Sequence, residues 1–115
     1  MAEQRYLKAI GNQLSDDRSD GVSPVAARVF VSGRVQGVGF RESARRAALA
    51  REVVGWVHNL ADGRVEALFE GAPLAVRAMV AWCEDGPMFA RVDAVEVGWE
   101  APTGRFWTFS VEQTL

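Results

Sequence analysis

The chain has 115 residues, of which 49% are hydrophobic and 24% are charged, as expected for one globular domain with its own core. Its formal net charge of −2 lacks the basic excess typical of nucleic-acid-binding proteins, so we expect no nucleic-acid partner. The single cysteine, Cys83, allows no internal disulfide, and no apolar stretch resembles a signal peptide or a membrane span. We therefore expect a cytoplasmic protein with no membrane partner.

The N-terminal stretch differs in composition from the rest of the chain. Residues 15–21 are polar and show no hydrophobic period, and Pro24 closes the segment. Such a segment cannot bury enough apolar surface to fold on its own. We predict a flexible polar extension over residues 1–24 and one compact domain over residues 25–115.

Hydrophobic periodicity predicts five strands and two helices within this domain. Strands are predicted over residues 28–32, 53–59, 64–70, 91–99 and 106–111, and helices over residues 40–51 and 74–84. The predicted core faces have helical or alternating spacing and consist of Phe40, Ala44, Ala47 and Ala48; Val65, Ala67 and Phe69; Val76, Met79, Val80 and Cys83; Val95, Val97 and Trp99; and Trp107, Phe109 and Val111.

The predicted order, β-α-β-β-α-β-β, matches the split β-α-β arrangement of a ferredoxin-like α/β sandwich with one extra C-terminal strand. We predict the α+β class, with an antiparallel-rich sheet and both helices on one face. In this arrangement the third strand lies between the parallel first and second strands. The carboxyl ends of those two strands therefore meet at the same end of the sheet, where the first is followed by residues 33–41 and the second ends at Asn59.

Residues 33–41 read GRVQGVGFR and connect the first strand to the first helix. Three glycines allow a tight turn, and unpaired N–H groups at a helix start favour an anion. No Ser, Thr, Asp or Asn occupies the expected N-cap position at residues 38–39, so those N–H groups stay available. Arg41 follows in the first helical turn, with a planar fork suited to phosphate. A tight turn with a surface arginine explains the loop on its own equally well.

Better-known phosphate motifs do not fit this loop. A Walker loop requires Lys and then Ser or Thr after its last glycine, but Gly39 is followed by Phe40 and Arg41. A dinucleotide-binding fingerprint that begins at Gly37 requires a third glycine where Glu42 stands. Only the general interpretation, a phosphate cradle at a helix start, is left.

Nucleophilic and metal-dependent chemistry find little support in the sequence. Cys83 lies on a core-facing helix stripe, and Phe89 stands where a cysteine phosphatase needs its arginine. Ser43 has no His or Asp partner nearby in sequence, and we expect His58 to be a half-exposed strand residue that faces away from Asn59. No cluster of His, Cys and carboxylates has metal-ligand spacing, so we expect no cofactor, no metal and no covalent intermediate.

Asn59 is the remaining polar candidate. An asparagine at a strand end before a hairpin is often turn chemistry, and here the Asp-Gly turn signal of residues 62–63 follows it. Its amide can equally accept a hydrogen bond from water and donate one to it. Beside an arginine-bound phosphate it would orient water for in-line attack on phosphorus, a reaction that depends mainly on positioning and charge stabilisation.

Several stretches of the sequence resemble the acylphosphatase family. They are residues 33–41, residues 55–66 (GWVHNLADGRVE), the Gly-Pro and Ala-Arg-Val-Asp within residues 86–93, and the closing Phe-Ser-Val of residues 109–111. Their order and spacing agree with the family over residues 26–113. The resemblance implies metal-free hydrolysis of an acyl phosphate to a carboxylate and inorganic phosphate.

The resemblance also implies roles for the site residues. Arg41 and the backbone N–H groups of residues 35–40 would bind the phosphoryl group, and Asn59 would position the attacking water. The phosphate oxygens of the substrate would take up the water proton. We expect a small-molecule acyl phosphate as substrate, inorganic phosphate as product and competitor, and a monomer. The implied loop residues are Val35, Gln36, Gly37, Val38, Gly39 and Phe40.

The sequence departs from the family pattern in two places. Members commonly end the first helix with Leu-Gly-Leu, whose glycine caps the helix, but residues 51–53 here read Arg-Glu-Val. We expect this difference to affect the local stability of the helix and not the catalytic pair. Small members also usually lack the extension predicted over residues 1–24.

Two other functions stay open on the sequence. A non-catalytic anion-binding or regulatory module could use the same fold, although the presence of both Arg41 and Asn59 at one end of the sheet favours an enzyme. A nucleic-acid binder would stack bases on exposed aromatic residues. The alternation of the Trp and Phe residues predicts most of them in the core, and the acidic charge also disfavours this function.

Overall fold

The structure, a computed structural model, describes residues 23–114. The predicted extension therefore lies outside the described residues except for Ser23 and Pro24. In this part of the chain no helix is long and apolar enough to cross a membrane. The elements follow the predicted order and are β1 (Val25–Arg34), α1 (Phe40–Ala50), β2 (Val54–Asn59), β3 (Val65–Gly71), α2 (Pro73–Asp85), β4 (Arg91–Glu100) and β5 (Phe109–Val111).

The strands form one five-stranded sheet in the order β4-β1-β3-β2-β5. β3 pairs antiparallel with both β1 and β2, so β1 and β2 are parallel to each other. β4 adds antiparallel to β1, and β5 adds parallel to β2. The predicted ferredoxin-like arrangement with an extra C-terminal strand is confirmed.

Both helices pack on one face of the sheet, with α1 over β2 and β5 and α2 over β1 and β4. Side chains from the two layers form one core, in which Phe69 stacks on Phe109 with ring centroids 5.5 Å apart. The helix stripes that the sequence predicted supply the helical half of this core. Their buried members are Phe40, Ala44 and Ala48 on α1 and Val76, Met79 and Cys83 on α2.

Strand register decides which side chains share a face of the sheet. Val65 of β3 pairs with Val31 of β1 on one side and with Asn59 of β2 on the other. Directly paired residues project from the same face, and Val31 and Val65 are core residues, so Asn59 lies on the helix-covered face. The adjacent pair, Glu66 and His58, therefore lies on the open face.

The last strand differs from its prediction. β5 begins at Phe109, because the buried carboxylate of Glu70 holds the preceding loop by accepting hydrogen bonds from Thr103 and from the N–H of Gly104. Trp107 in that loop is 89% exposed. The prediction that Trp107 lies beside Phe109 on one strand face is therefore wrong.

Side chains of the outer strands are also more exposed than predicted. β4 has a neighbouring strand on one side only, and its Val97 and Trp99 are 37% and 53% exposed. Val111 of β5, the opposite outer strand, is 40% exposed. The expectation that most Trp and Phe residues lie in the core is wrong, since those described as buried are only Phe40, Phe69 and Phe109.

His58 is buried, which corrects the expectation of a half-exposed residue. Its Nε2 lies 2.7 Å from Oε1 of Glu66, and Nη1 of Arg28 donates to Oε2 of Glu66 at 2.8 Å. Burial raises the pKa of Glu66, but the hydrogen bonds from His58 and Arg28 together outweigh burial and hold that pKa below its usual value. The histidine thus belongs to an ion-paired network on the open face of the sheet, away from Asn59.

We expect Glu66→Gln to lower the free energy of unfolding by about 2 kcal/mol at neutral pH, because it removes the charge from an acceptor of two hydrogen bonds. A carboxylate with a depressed folded-state pKa stabilises the fold above its usual pKa of 4.5, and this contribution is lost as the pH falls through the folded-state pKa. The stability difference between wild type and variant should therefore shrink in acid. Urea unfolding at neutral and acidic pH measures it, and an undiminished difference in acid would contradict the charge-based explanation.

The C-terminus of α1 is capped although it lacks the glycine usual in the family. The N–H of Glu52 donates to the carbonyl of Leu49 at 3.1 Å, and the N–H of Val53 donates to the carbonyl of Ala48 at 2.9 Å. These bonds form a Schellman motif, which needs a left-handed residue after the C-cap. Glu52 adopts that conformation with φ of 58°, and among residues 23–114 it is the only non-glycine residue with positive φ.

We expect Glu52→Gly to raise the free energy of unfolding by about 0.5–1 kcal/mol, because glycine adopts a left-handed conformation without the steric penalty of a side chain. Thermal or urea unfolding measures the change. Arg51→Gly is the matched control: φ at Arg51 is −106°, so a glycine there should destabilise the protein. Equal effects of the two substitutions would contradict the strain at Glu52.

Candidate active site

The loop between β1 and α1 contains two glycines in the left-handed region. Gly37 and Gly39 have φ of 74° and 79°, and a Cβ atom at either position would meet nothing within 4 Å. The backbone conformation, and not a lack of space, therefore requires glycine at these positions. Gly39 is the N-cap of α1, and no side-chain hydrogen bond caps the helix, as the sequence predicted.

Backbone N–H groups at this helix start are available to a ligand. The first bond of the α1 ladder runs from the N–H of Ser43 to the carbonyl of Gly39, at 3.0 Å. Among the turn and loop hydrogen bonds between backbone groups of residues 23–114, none is donated by an N–H of residues 36–42. Such N–H groups bind anions, and the helix dipole adds to their attraction.

Arg41 and Asn59 line one pocket of about 240 Å³ at this end of the sheet. The order of the strands brings them together across 18 positions of sequence, as the topology predicted. Val38, the one predicted loop residue that does not line the pocket, packs instead against the core. The other lining residues are Val35, Gln36, Gly37, Gly39, Phe40, Glu42 and Val111.

Glu42 and Val111 line the pocket but were not predicted as site residues. Val111 reaches the pocket because β5 pairs parallel with β2, where Val57 is its partner. The sequence predicts both strands, but the side on which the last strand joins the sheet is a tertiary feature. Glu42 directly follows Arg41, and a glutamate in the first turn of a helix is more often a dipole-stabilising residue than part of an anion site.

The positive charge of Arg41 is not neutralised by the adjacent carboxylate of Glu42. Arg41 is half-buried, and within residues 23–114 no carboxylate lies within ion-pair distance of it. The carboxylate of Glu42 is instead paired with Arg45 at 3.0 Å and with Arg46 at 3.5 Å. The hydrogen bond from Arg45 is the main cause that lowers the pKa of Glu42. Arg41 can therefore serve an anionic ligand.

Asn59 carries a buried acceptor atom that receives no hydrogen bond from residues 23–114. The residue is only 8% exposed, and its Oδ1 has no hydrogen-bond partner among the described residues. Leaving a buried polar atom unpaired costs about 1–3 kcal/mol, so such atoms are few in folded proteins. The O–H of a water molecule is a donor that this oxygen can accept from.

The side chain of Gln36 connects the loop to the hairpin that follows Asn59. Its Nε2 donates to the carbonyl oxygens of Leu60 and Arg64, both at 2.9 Å. The sequence indicated Gln36 only as a member of the loop. A contact with a residue 24 positions away has no local signature from which it could be found.

Comparison with known proteins agrees with this geometry. The family model described as Acylphosphatase matches residues 27–111, which is most of the chain. The chain belongs to the acylphosphatase family.

Individual acylphosphatases match over nearly their whole length. The acylphosphatase of Roseiflexus sp. (strain RS-1) is 61% identical over 85 residues, which cover 74% of this chain and 91% of the relative. That of Chloroflexus aurantiacus is 54% identical over 87 residues, which cover 76% of this chain and 95% of the relative. The crystal structure of acylphosphatase from Bacillus subtilis is similar with a TM-score of 0.74 and 38% identity, covering 76% of this chain and 98% of that one.

Cys83 takes no part in the acylphosphatase pocket. It is buried on α2, and burial raises the pKa of its thiol to about 12. A thiol with this pKa carries almost no thiolate at neutral pH and is a poor nucleophile. Over residues 23–114, no three His, Cys, Asp or Glu side chains are grouped so that they could hold a metal ion.

We expect Cys83 to resist alkylation by iodoacetamide at neutral pH while the protein is folded, because the thiol is both buried and protonated. Mass spectrometry of protein treated with and without urea measures the modification, and only the unfolded sample should react. Rapid alkylation of the folded protein, with hydrolytic activity lost at the same rate, would contradict the exclusion of Cys83 from the site.

Proposed function

We propose that this protein hydrolyses acyl phosphates to a carboxylate and inorganic phosphate. The observation that carries the proposal is the buried Oδ1 of Asn59, which has no partner among the described residues and shares a pocket with Arg41. A pocket that only bound an anion would gain nothing from a buried acceptor atom. Membership of the acylphosphatase family supports the same reaction.

The phosphoryl group of the substrate binds at the start of α1. Arg41 donates hydrogen bonds to two phosphate oxygens through its guanidinium fork. The backbone N–H groups of residues 35–40 donate to the phosphate oxygens from the glycine loop. Since Val38 lies in this loop but packs its side chain on the core, it contributes through its backbone alone. The helix dipole stabilises the negative charge of the bound group.

The attacking water is held by the amide of Asn59. The oxygen of this water forms a bond to phosphorus while the bond from phosphorus to the acyl oxygen breaks. The acyl group then leaves as a carboxylate and takes the bonding electron pair with it. The proton of the water goes to a phosphate oxygen. Since a carboxylate is a good leaving group, positioning and charge stabilisation suffice, and the chain needs no general base.

The reaction in this scheme uses neither a metal ion nor a covalent intermediate, because water attacks phosphorus directly. The raised pKa of the Cys83 thiol supports a mechanism without a cysteine nucleophile. Most residues that line the pocket belong to the phosphate loop and the start of α1. The acyl group is therefore recognised less strictly than the phosphate.

We also propose that the protein acts as a monomer in the cytoplasm, without a nucleic-acid or membrane partner. A single buried cysteine suits a reducing compartment. On the open face of the sheet, Arg64 and Arg28 lie over the rings of Phe30 and Trp56, at 4.9 Å and 5.5 Å from the ring centroids. Rings covered in this way offer less surface for stacking a base.

The two side chains of the site should separate phosphate binding from turnover. We expect Arg41→Ala to abolish both activity and binding of inorganic phosphate, because the guanidinium fork at the phosphate is lost. Asn59→Ala should lower kcat by at least about 10²-fold and leave phosphate binding intact, because only the water loses its partner. Hydrolysis of benzoyl phosphate in the presence of a chelator, with inorganic phosphate as competitive inhibitor, measures both quantities.

Arg77→Ala is the control, since this arginine is exposed on α2 and does not line the pocket. It should behave as the wild type does. Normal hydrolysis by Asn59→Ala would eliminate the water-positioning role. Phosphate binding by the wild type without hydrolysis of any acyl phosphate would instead favour the non-catalytic anion-binding module.

A further inference from the structure

The hydrogen bonds of Gln36 join two segments that the sheet itself leaves apart. The pairing of β1 with β3 ends at Val31 and Val65, and β1 then continues to Arg34 against β4 alone. The phosphate loop begins after Arg34, and the hairpin begins after Asn59. At this end of the sheet the ladder therefore does not hold the loop and the hairpin together, whereas the amide of Gln36 does.

The hairpin is complete without Gln36. The N–H of Leu60 donates to the carbonyl of Arg64 at 2.8 Å, and the N–H of Gly63 donates to the carbonyl of Leu60 at 3.1 Å. Each carbonyl oxygen has two lone pairs, so Gln36 uses the second acceptor position on each. Its two bonds therefore tie the hairpin to the loop and are not needed for the hairpin to form.

Asn59 lies where β2 has lost one of its neighbouring strands. β5 pairs with β2 only as far as Val57 and Val111, whereas β3 continues to pair as far as Asn59. The position of Asn59 thus depends on β3 and on whatever holds Leu60, the next residue in the chain. The carbonyl of Leu60 is one of the two groups that Gln36 binds.

We propose that Gln36 is a positioning residue that sets the distance between the amide of Asn59 and the phosphate-binding loop. Its side chain acts through the carbonyls of Leu60 and Arg64. The inference rests on the proposed function, because it assigns this side chain a part in that reaction. Since a displacement of about 1 Å can lower the rate of such a reaction by about 10²-fold, two hydrogen bonds between the loop and the hairpin have a large effect on turnover.

Gln36→Met tests the proposal, because methionine keeps the length and unbranched shape of glutamine and lacks both N–H donors. We expect kcat for benzoyl phosphate to fall by about 10- to 100-fold. The inhibition constant of inorganic phosphate should change by less than about twofold, since Arg41 and the loop N–H groups are retained. Gln113→Met is the matched control: Gln113 is exposed beyond β5 and outside the pocket, so both constants should stay at their wild-type values.

Two other kinetic results would overturn the proposal. A parallel loss of kcat and of phosphate affinity would mean that Gln36 orders the phosphate loop itself. Unchanged kcat would mean that the two hydrogen bonds have no effect on the reaction. Should Gln36→Met fail to fold, Gln36→Asn is measured by the same criteria, because its amide is one methylene too short to keep both bonds.

Nuclear magnetic resonance separates this proposal from the proposed function. In Gln36→Met the side-chain amide signals of Asn59 should shift, while the backbone amide signals of the loop still respond to inorganic phosphate. Asn59 signals that stay at their wild-type positions would overturn the positioning role, even if kcat falls. Failure of the wild type to hydrolyse any acyl phosphate would overturn the proposed function alone, because the shift of the Asn59 signals still decides whether Gln36 positions that residue.

Discussion

The pairing of β3 with both β1 and β2 is the constraint on which the rest of the site depends. It makes β1 and β2 parallel neighbours of one strand, so their carboxyl ends meet at the same end of the sheet. Val65 at the start of β3 has Val31 and Asn59 as its two partners, and this row directs Asn59 towards the face that the helices cover. Arg41 enters the same space from the start of α1. Since a sheet is stiff, it brings the two side chains to the same end of the sheet, which no local interaction between them could do.

The electrostatics of the pocket are local. From residue 25 onward the chain has 10 arginines and 11 acidic residues, so no general positive field attracts an anion. Two nearby arginines are paired: Arg45 with Glu42, and Arg28, on the open face, with Glu66 and Glu100. Among the residues that line the pocket, the positive charge comes from Arg41, and the N–H groups of the loop add to it. Such a site selects a ligand by the geometry of its hydrogen bonds more than by its net charge.

Sequence periodicity predicted the order of the elements and the arrangement of the first three strands, because both follow from local pattern and from a small set of allowed connections. It failed where a tertiary contact overrides the pattern. Trp107 alternates correctly with Phe109, yet the bonds from the loop to Glu70 keep it out of the strand. His58 alternates as an open-face residue, yet it is buried, with its ring bonded to Glu66 and packed against the ring of Trp56. Gln36 is the instructive case for the site, since its backbone place in the loop could be predicted and its side-chain partners, 24 and 28 positions away, could not.

The features that suit the pocket to binding and reaction also leave some of its polar groups without hydrogen-bond partners among the described residues. Gly37 and Gly39 lose more conformational freedom on folding than other residues would. Within residues 23–114 the N–H groups at the start of α1 have no side-chain cap, and Oδ1 of Asn59 has no hydrogen-bond partner. In the proposed reaction a phosphoryl group would satisfy the N–H groups and water would satisfy the amide, so the substrate and the attacking nucleophile together would complete the hydrogen bonding of the pocket. The two carbonyls that Gln36 binds already have partners within the hairpin, so its bonds satisfy no group that lacked one. The physical role left for its side chain, in the proposal above, is to hold the phosphate loop and the amide of Asn59 at a fixed distance from each other.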